Sequence, residues 1–96
     1  MTKAEIVDRI AKQTGIEKNT VIAVVETFME SVKNSMIAGE KVFLRGFGSF
    51  IIKRKAQKTG RNISSNTTVI IPAHSVPAFK PAKTFRDMVK EGIKAK

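Results

Sequence analysis

The chain of 96 residues has no cysteine, no tryptophan and no tyrosine, and its single histidine is His74. Without thiols there are no disulfides, and with one imidazole there is no cysteine- or histidine-rich metal site and no Cys–His nucleophile pair. A chain this short buries only a modest core, so self-association is the remaining support for the fold. No apolar run reaches bilayer-spanning length, and Met1-Thr2-Lys3-Ala4-Glu5 lacks the apolar core of a signal peptide. A membrane role is therefore not expected. Missing cysteine suits a reducing compartment, and a cytoplasmic location is the expectation.

Carboxylates are scarce, with 8 Asp and Glu against 18 Lys and Arg, for a formal charge of +10 and a pI near 10.3. The shortage is local. Residues 1–40 hold five bases and six acids, whereas residues 41–96 hold thirteen bases and two acids. Between Glu40 and Asp87 there is no acid at all, and ten bases stand there: Lys41, Arg45, Lys53, Arg54, Lys55, Lys58, Arg61, Lys80, Lys83 and Arg86. Charge scattered for solubility mixes its signs. A segregated block implies that the neutralising anions come from outside the chain, as they do on a nucleic acid.

The periodicity predicts an α+β chain. Thr2 with Glu5 reads as a capping box before an apolar stripe of Ile6, Val7, Ile10 and Ala11, which ends near Gly15. A second helix is predicted from about Lys18 to Ala38, stopped by Gly39. Its face of Val21, Ile22, Val24, Val25, Phe28, Met29, Val32 and Met36 is too wide for the first helix to cover. That width argues for a sheet and a second subunit against it. Lys41 to Arg45 reads as a short strand, Gly46-Phe47-Gly48 as a bend, and Ser49 to about Lys58 as a longer strand with Phe50 and Ile52 inward.

From Thr59 to Thr68 the chain is polar, before Val69-Ile70-Ile71 resumes a strand that Pro72 stops. This is the tip of a two-stranded arm, which from Lys53 to Ile63 spans roughly 30 Å if fully extended. Ala73 to Pro81 has no clear period and reads as an extended crossing of the surface. Pro81 suits the first position of a closing helix, apolar at Phe85, Met88, Val89 and Ile93 and basic at Lys83, Arg86, Lys90 and Lys94. The expected organisation is a single domain over 1–96, with a helical part at 1–40, a sheet and arm at 41–81 and a C-terminal helix at 82–96.

Gly46-Phe47-Gly48-Ser49-Phe50, Gly60-Arg61-Asn62, Ile71-Pro72 and Val76-Pro77-Ala78-Phe79-Lys80-Pro81 together resemble the bacterial HU histone-like DNA-binding family, including its integration host factor branch. The resemblance spans nearly the whole chain. It implies an intertwined dimer with helices below a saddle of two three-stranded sheets, and two β-arms that wrap double-stranded DNA through its minor groove. A nucleoid location goes with it. The dimer is either homomeric or formed with a related subunit.

Carried over by position, Arg61 and Asn62 resemble the arm-tip residues that enter the minor groove, and Lys53, Lys55 and Lys58 the arm's phosphate-facing bases. Lys3, Lys80, Lys83 and Arg86 match flank positions that hold bent DNA. Where the family places a proline straight after Gly-Arg-Asn, this chain has Ile63, an apolar side chain that can enter a base step without the rigid ring. Arg45 resembles the β subunit of integration host factor, in which an arginine here reaches the minor groove. A minor-groove role, selective only through shape and A·T content, and a plain phosphate contact are both open to it. Phe47, Phe50 and Phe79 are read as core residues and not as platforms for bases.

Two other classes stand beside this one. An enzyme finds little support, because the acids concentrate in the first two helices and Gly46-x-Gly48 lacks the rest of any phosphate-binding fingerprint. An RNA-binding or ribosome-associated protein is compatible with a basic hairpin. No cofactor and no small-molecule substrate is expected.

Overall fold

A computed structural model describes residues 1–62 and 67–94, without the side chains of Arg61 and Asn62. Helices α1 (Lys3–Thr14) and α2 (Lys18–Ile37) are followed by strands β1 (Val42–Leu44) and β2 (Gly48–Lys55). Then come β3 (Lys58–Asn62), β4 (Thr67–Ile71), β5 (His74–Pro81) and a closing helix α3 (Lys83–Lys94).

Local chemistry sets the helix ends. The Thr2 hydroxyl accepts the Glu5 backbone N–H at 3.3 Å, capping α1. Gly15, at φ 74°, closes α1 by donating to the Ala11 carbonyl. After α2 the Gly39 N–H donates to Met36 and the Glu40 N–H to Ser35 at 2.9 Å, a Schellman stop that the left-handed Gly39 permits. Lys18 at the start of α2 binds Asp8 of α1 at 2.9 Å. That hydrogen bond, with the ammonium's charge, holds the Asp8 carboxyl below the usual carboxylate value.

The sheet has the order β1-β2-β5, all antiparallel. Its third strand is β5, where the sequence suggested only an extended crossing. The prolines at 77 and 81 hid it, yet an edge strand accommodates them because one row of its N–H groups has no ladder partner. Pro81 therefore ends a strand and does not open α3. The Ala82 N–H returns to the Phe47 carbonyl at 2.9 Å, and the helix starts at Lys83.

The expected long strand is also broken. Pairing runs Gly48↔Pro81 through Lys55↔His74, then resumes at Lys58↔Ile71 and continues to Asn62↔Thr67. The two stretches share one register, so the arm continues the β2–β5 hairpin without a bulge. Between them Ala56-Gln57 and Pro72-Ala73 leave the ladder at the same level. Pro72 has no N–H to donate, which accounts for the interruption.

Alternation along the strands sorts the sheet into two faces. Phe50 lines one cavity with Met29 and Met36, and Ile52 lines another of about 430 Å³ with Met36, Ile37 and Pro77, so this face is turned to α2. Phe79 is the hub of the aromatic packing, 5.0 Å from Phe47, 5.0 Å from Phe50 and 6.5 Å from Phe85. Phe47, Phe50 and Phe79 thus pack on one another's rings, as expected of core residues, but in the single chain Phe47 stays 45% exposed and Phe79 38%.

Gly48 is held by close approach. A Cβ there meets the Lys80 carbonyl and the Phe79 ring, each at 2.6 Å. Gly48→Ala is expected to lower stability by about 1–3 kcal/mol, the usual cost of overpacking, as a thermal melt followed by circular dichroism will show.

One copy leaves much apolar surface bare. Among the described residues only Val7 and Val21 are buried hydrophobics, while Phe28 is 47% exposed and Ile37 83%. The radius of gyration is 18.8 Å, against about 12.5 Å for a compact chain of this length. Both facts fit a chain that completes its core with another copy. Among the described residues no helix is long and apolar enough to cross a membrane.

Candidate nucleic-acid interface

The pleat that turns away from α2 carries Ser49, Ile51, Lys53 and Lys55 of β2. Across the ladder stand Lys80, Ala78, Val76 and His74 of β5, and beyond β2 stands Phe43 of β1. Directly paired antiparallel residues share a face, so Lys53, Lys55 and Lys80 are brought onto one surface. Small half-buried side chains floor that surface and the three exposed lysines stand above it.

Arg45, in the turn from β1 to β2, and Lys83, opening α3, join Lys80 around a concavity of about 400 Å³. Arg86 lies one helical turn beyond Lys83. Lys58 falls on the opposite pleat, across from Ile71, because register parity carries through the break. It thus stands on the other flank of the arm. In the arm, Arg61 pairs across from Thr68 and Asn62 from Thr67 along the backbone; their side chains, and Ile63 with its wedge role, lie outside the described residues.

Lys3 differs from the rest, since its ammonium pairs with Glu26 of α2. The other two ion pairs among the described residues, Lys18–Asp8 and Lys33–Glu30, also stay within α1 and α2. Among the described residues no base from Lys41 onward has an ion-pair partner within the chain. The carboxylate shortage seen in the sequence therefore survives folding, with Lys53, Lys55 and Lys80 unneutralised on one face. Such a surface holds polyanions through phosphates and releases their counterions.

Among the described residues no cluster of three or more histidine, aspartate or glutamate side chains stands where it could hold a metal ion. Sequence reasoning passed over one residue of this face, Phe43. Its signal was available in the alternation, which puts Phe43 on the same pleat as Lys80 through Ser49.

A helical base, a sheet with one basic face and a basic two-stranded arm define an architectural polyanion-binding protein. The match to known families agrees: the family described as bacterial DNA-binding protein covers residues 1–90, and the chain belongs to it. The DNA-binding protein HU of Thermotoga maritima is 39% identical over 90 residues, covering 94% of this chain and 100% of the relative. The DNA-binding protein HU of Thermus thermophilus is 38% identical over 91 residues, covering 95% and 94%. An Anabaena HU–DNA cocrystal structure superposes with a TM-score of 0.88 at 38% identity, covering 93% of this chain and 97% of that one.

Proposed function

We propose that two copies of this chain form a clamp that binds, bends and compacts duplex DNA, with no cofactor and no catalysed reaction. One observation carries the reading: among the described residues no base beyond Glu40 has an ion-pair partner, and Lys53, Lys55 and Lys80 share one outward surface. In this reading residues 1–40 make the subunit contact, residues 41–81 form the saddle and the arms, and residues 82–96 close the flank. Lys53, Lys55, Lys58, Lys80, Lys83 and Arg86 hold phosphates along the DNA path, with Lys3 joining them by exchanging Glu26 for a phosphate. Arg61, Asn62 and Ile63 meet the minor groove at each arm tip, and Ile63 supplies the apolar wedge. The bound DNA is chromosomal, in the cytoplasm. The Anabaena relative, solved with DNA, supports the partner.

A chain that binds in this way loses affinity steeply with salt. With six to ten phosphate contacts, the association constant is expected to fall by about three to five orders of magnitude between 50 and 200 mM salt. Fluorescence anisotropy with a short duplex measures that slope, and energy transfer between dyes on the duplex ends measures the bend. A flat salt response, or preference for double-stranded RNA in competition, would overturn the proposal.

Arg45 lines one concavity with Lys80 and Lys83, so it serves either as a minor-groove contact that selects by shape or as a third phosphate contact beside them. Selection of tight sites from random DNA decides between the two. An enriched A·T-rich motif lost in Arg45→Ala supports the first, and no enrichment leaves Arg45 as a phosphate contact.

A further inference from the structure

Phe43 is the most exposed of the six phenylalanines, at 71%. It takes no part in the ring packing that joins Phe47, Phe50, Phe79 and Phe85. Its strand position pairs it with Ser49, and Ser49 in turn pairs with Lys80, so Phe43, Ser49 and Lys80 form one row across the outward pleat. Phe43 also lines the concavity that Arg45, Lys80 and Lys83 surround. An apolar ring standing in water inside a cationic bowl loses free energy until something covers it. The charge around it selects a polyanion, and the deoxyribose edge of a duplex is the apolar surface that lies beside phosphates.

We propose that Phe43 is a non-ionic DNA-contact residue, whose ring lies against the sugar edge of the strand that Arg45, Lys80 and Lys83 hold by its phosphates. The inference rests on the DNA-clamp reading above. Phe43 gives the complex an affinity component that salt does not screen, since burial of a ring releases no counterion. The lysines beside it supply the salt-dependent component.

The two components separate in a salt titration. Phe43→Thr keeps a good strand former and is expected to bind a duplex about tenfold more weakly at every salt concentration, because most of a ring's burial is lost. Its log–log slope stays that of the parent, whereas Lys80→Ala lowers the slope of a dimer by about 1.8, one phosphate contact in each subunit at about 0.9 apiece. Phe43→Lys is a second, independent arm, expected to steepen the slope by about 0.9 per added contact and to bind more weakly than the parent at high salt.

Sedimentation and melting of the free proteins accompany the titration. Parental affinity in Phe43→Thr at all salts, or an unchanged slope in Phe43→Lys, overturns the proposal. So does a shift of Phe43→Thr from dimer to monomer, which would make Phe43 a subunit contact. If the parent itself fails to bind the duplex, the clamp reading falls first and takes this inference with it.

Discussion

Replacing residues 56–73 by Asn-Gly is expected to give a protein that folds and associates like the parent but binds duplex DNA at least about 100-fold more weakly and leaves its ends unbent. The fold survives because Lys55↔His74 already pairs at the base of the arm and the ladder below it is uninterrupted to Gly48↔Pro81. Asn-Gly is the two-residue turn that closes such a pair with the right twist. Lost with the arm are Lys58, Arg61, Asn62 and Ile63 of each subunit. Two bases per subunit leave, so the salt slope of a dimer falls by roughly 3.6, at about 0.9 per phosphate. Anisotropy gives the slope and end-to-end energy transfer gives the bend. Parental bending by the armless protein would show that the saddle alone deforms DNA, and would remove the arm from the mechanism.

Phe79→Ala is expected to cost about 3–5 kcal/mol of stability, the range for truncating a buried ring. Phe79 touches three other rings, yet in one copy it is still 38% exposed. The size of the effect therefore tests the assembly. A loss at the top of the range means that a second subunit covers the ring, whereas a loss of about 1–2 kcal/mol means that the ring stays partly wet, as it is in the single chain. Urea unfolding at two protein concentrations tenfold apart supplies the control. A folded dimer loses about 1.4 kcal/mol of apparent stability on each such dilution, and a monomer loses none. With marginal total stability, the variant is expected to need higher protein concentration to remain folded.

Chemistry was legible in residues 1–96 wherever it depends on residue type and short spacing. The Thr2 and Gly15 caps, the Gly39 stop and the three apolar helical stripes depend on groups within a few positions of each other, so alternation and capping rules read them directly. The charge block from Lys41 to Arg86 was legible for another reason. Absence of carboxylates in a stretch of chain excludes neutralisation within it however the stretch folds, and pairing with the acids of α1, α2 or α3 is used by no base of the block among the described residues, where the ion pairs involve Lys3, Lys18 and Lys33.

What only the tertiary structure decided is long-range pairing. Residues 74–81 became a strand because β2 offered them a ladder, and no local signal announces a partner some twenty residues away across an arm. The same pairing set the faces, placing Lys53, Lys55 and Lys80 together, turning Lys58 to the other flank and lifting Phe43 among the cations. Composition determined that this chain needs an anion, since charge is counted without coordinates. Which side chains meet that anion together is a matter of register, and register exists only once two distant strands have closed on each other.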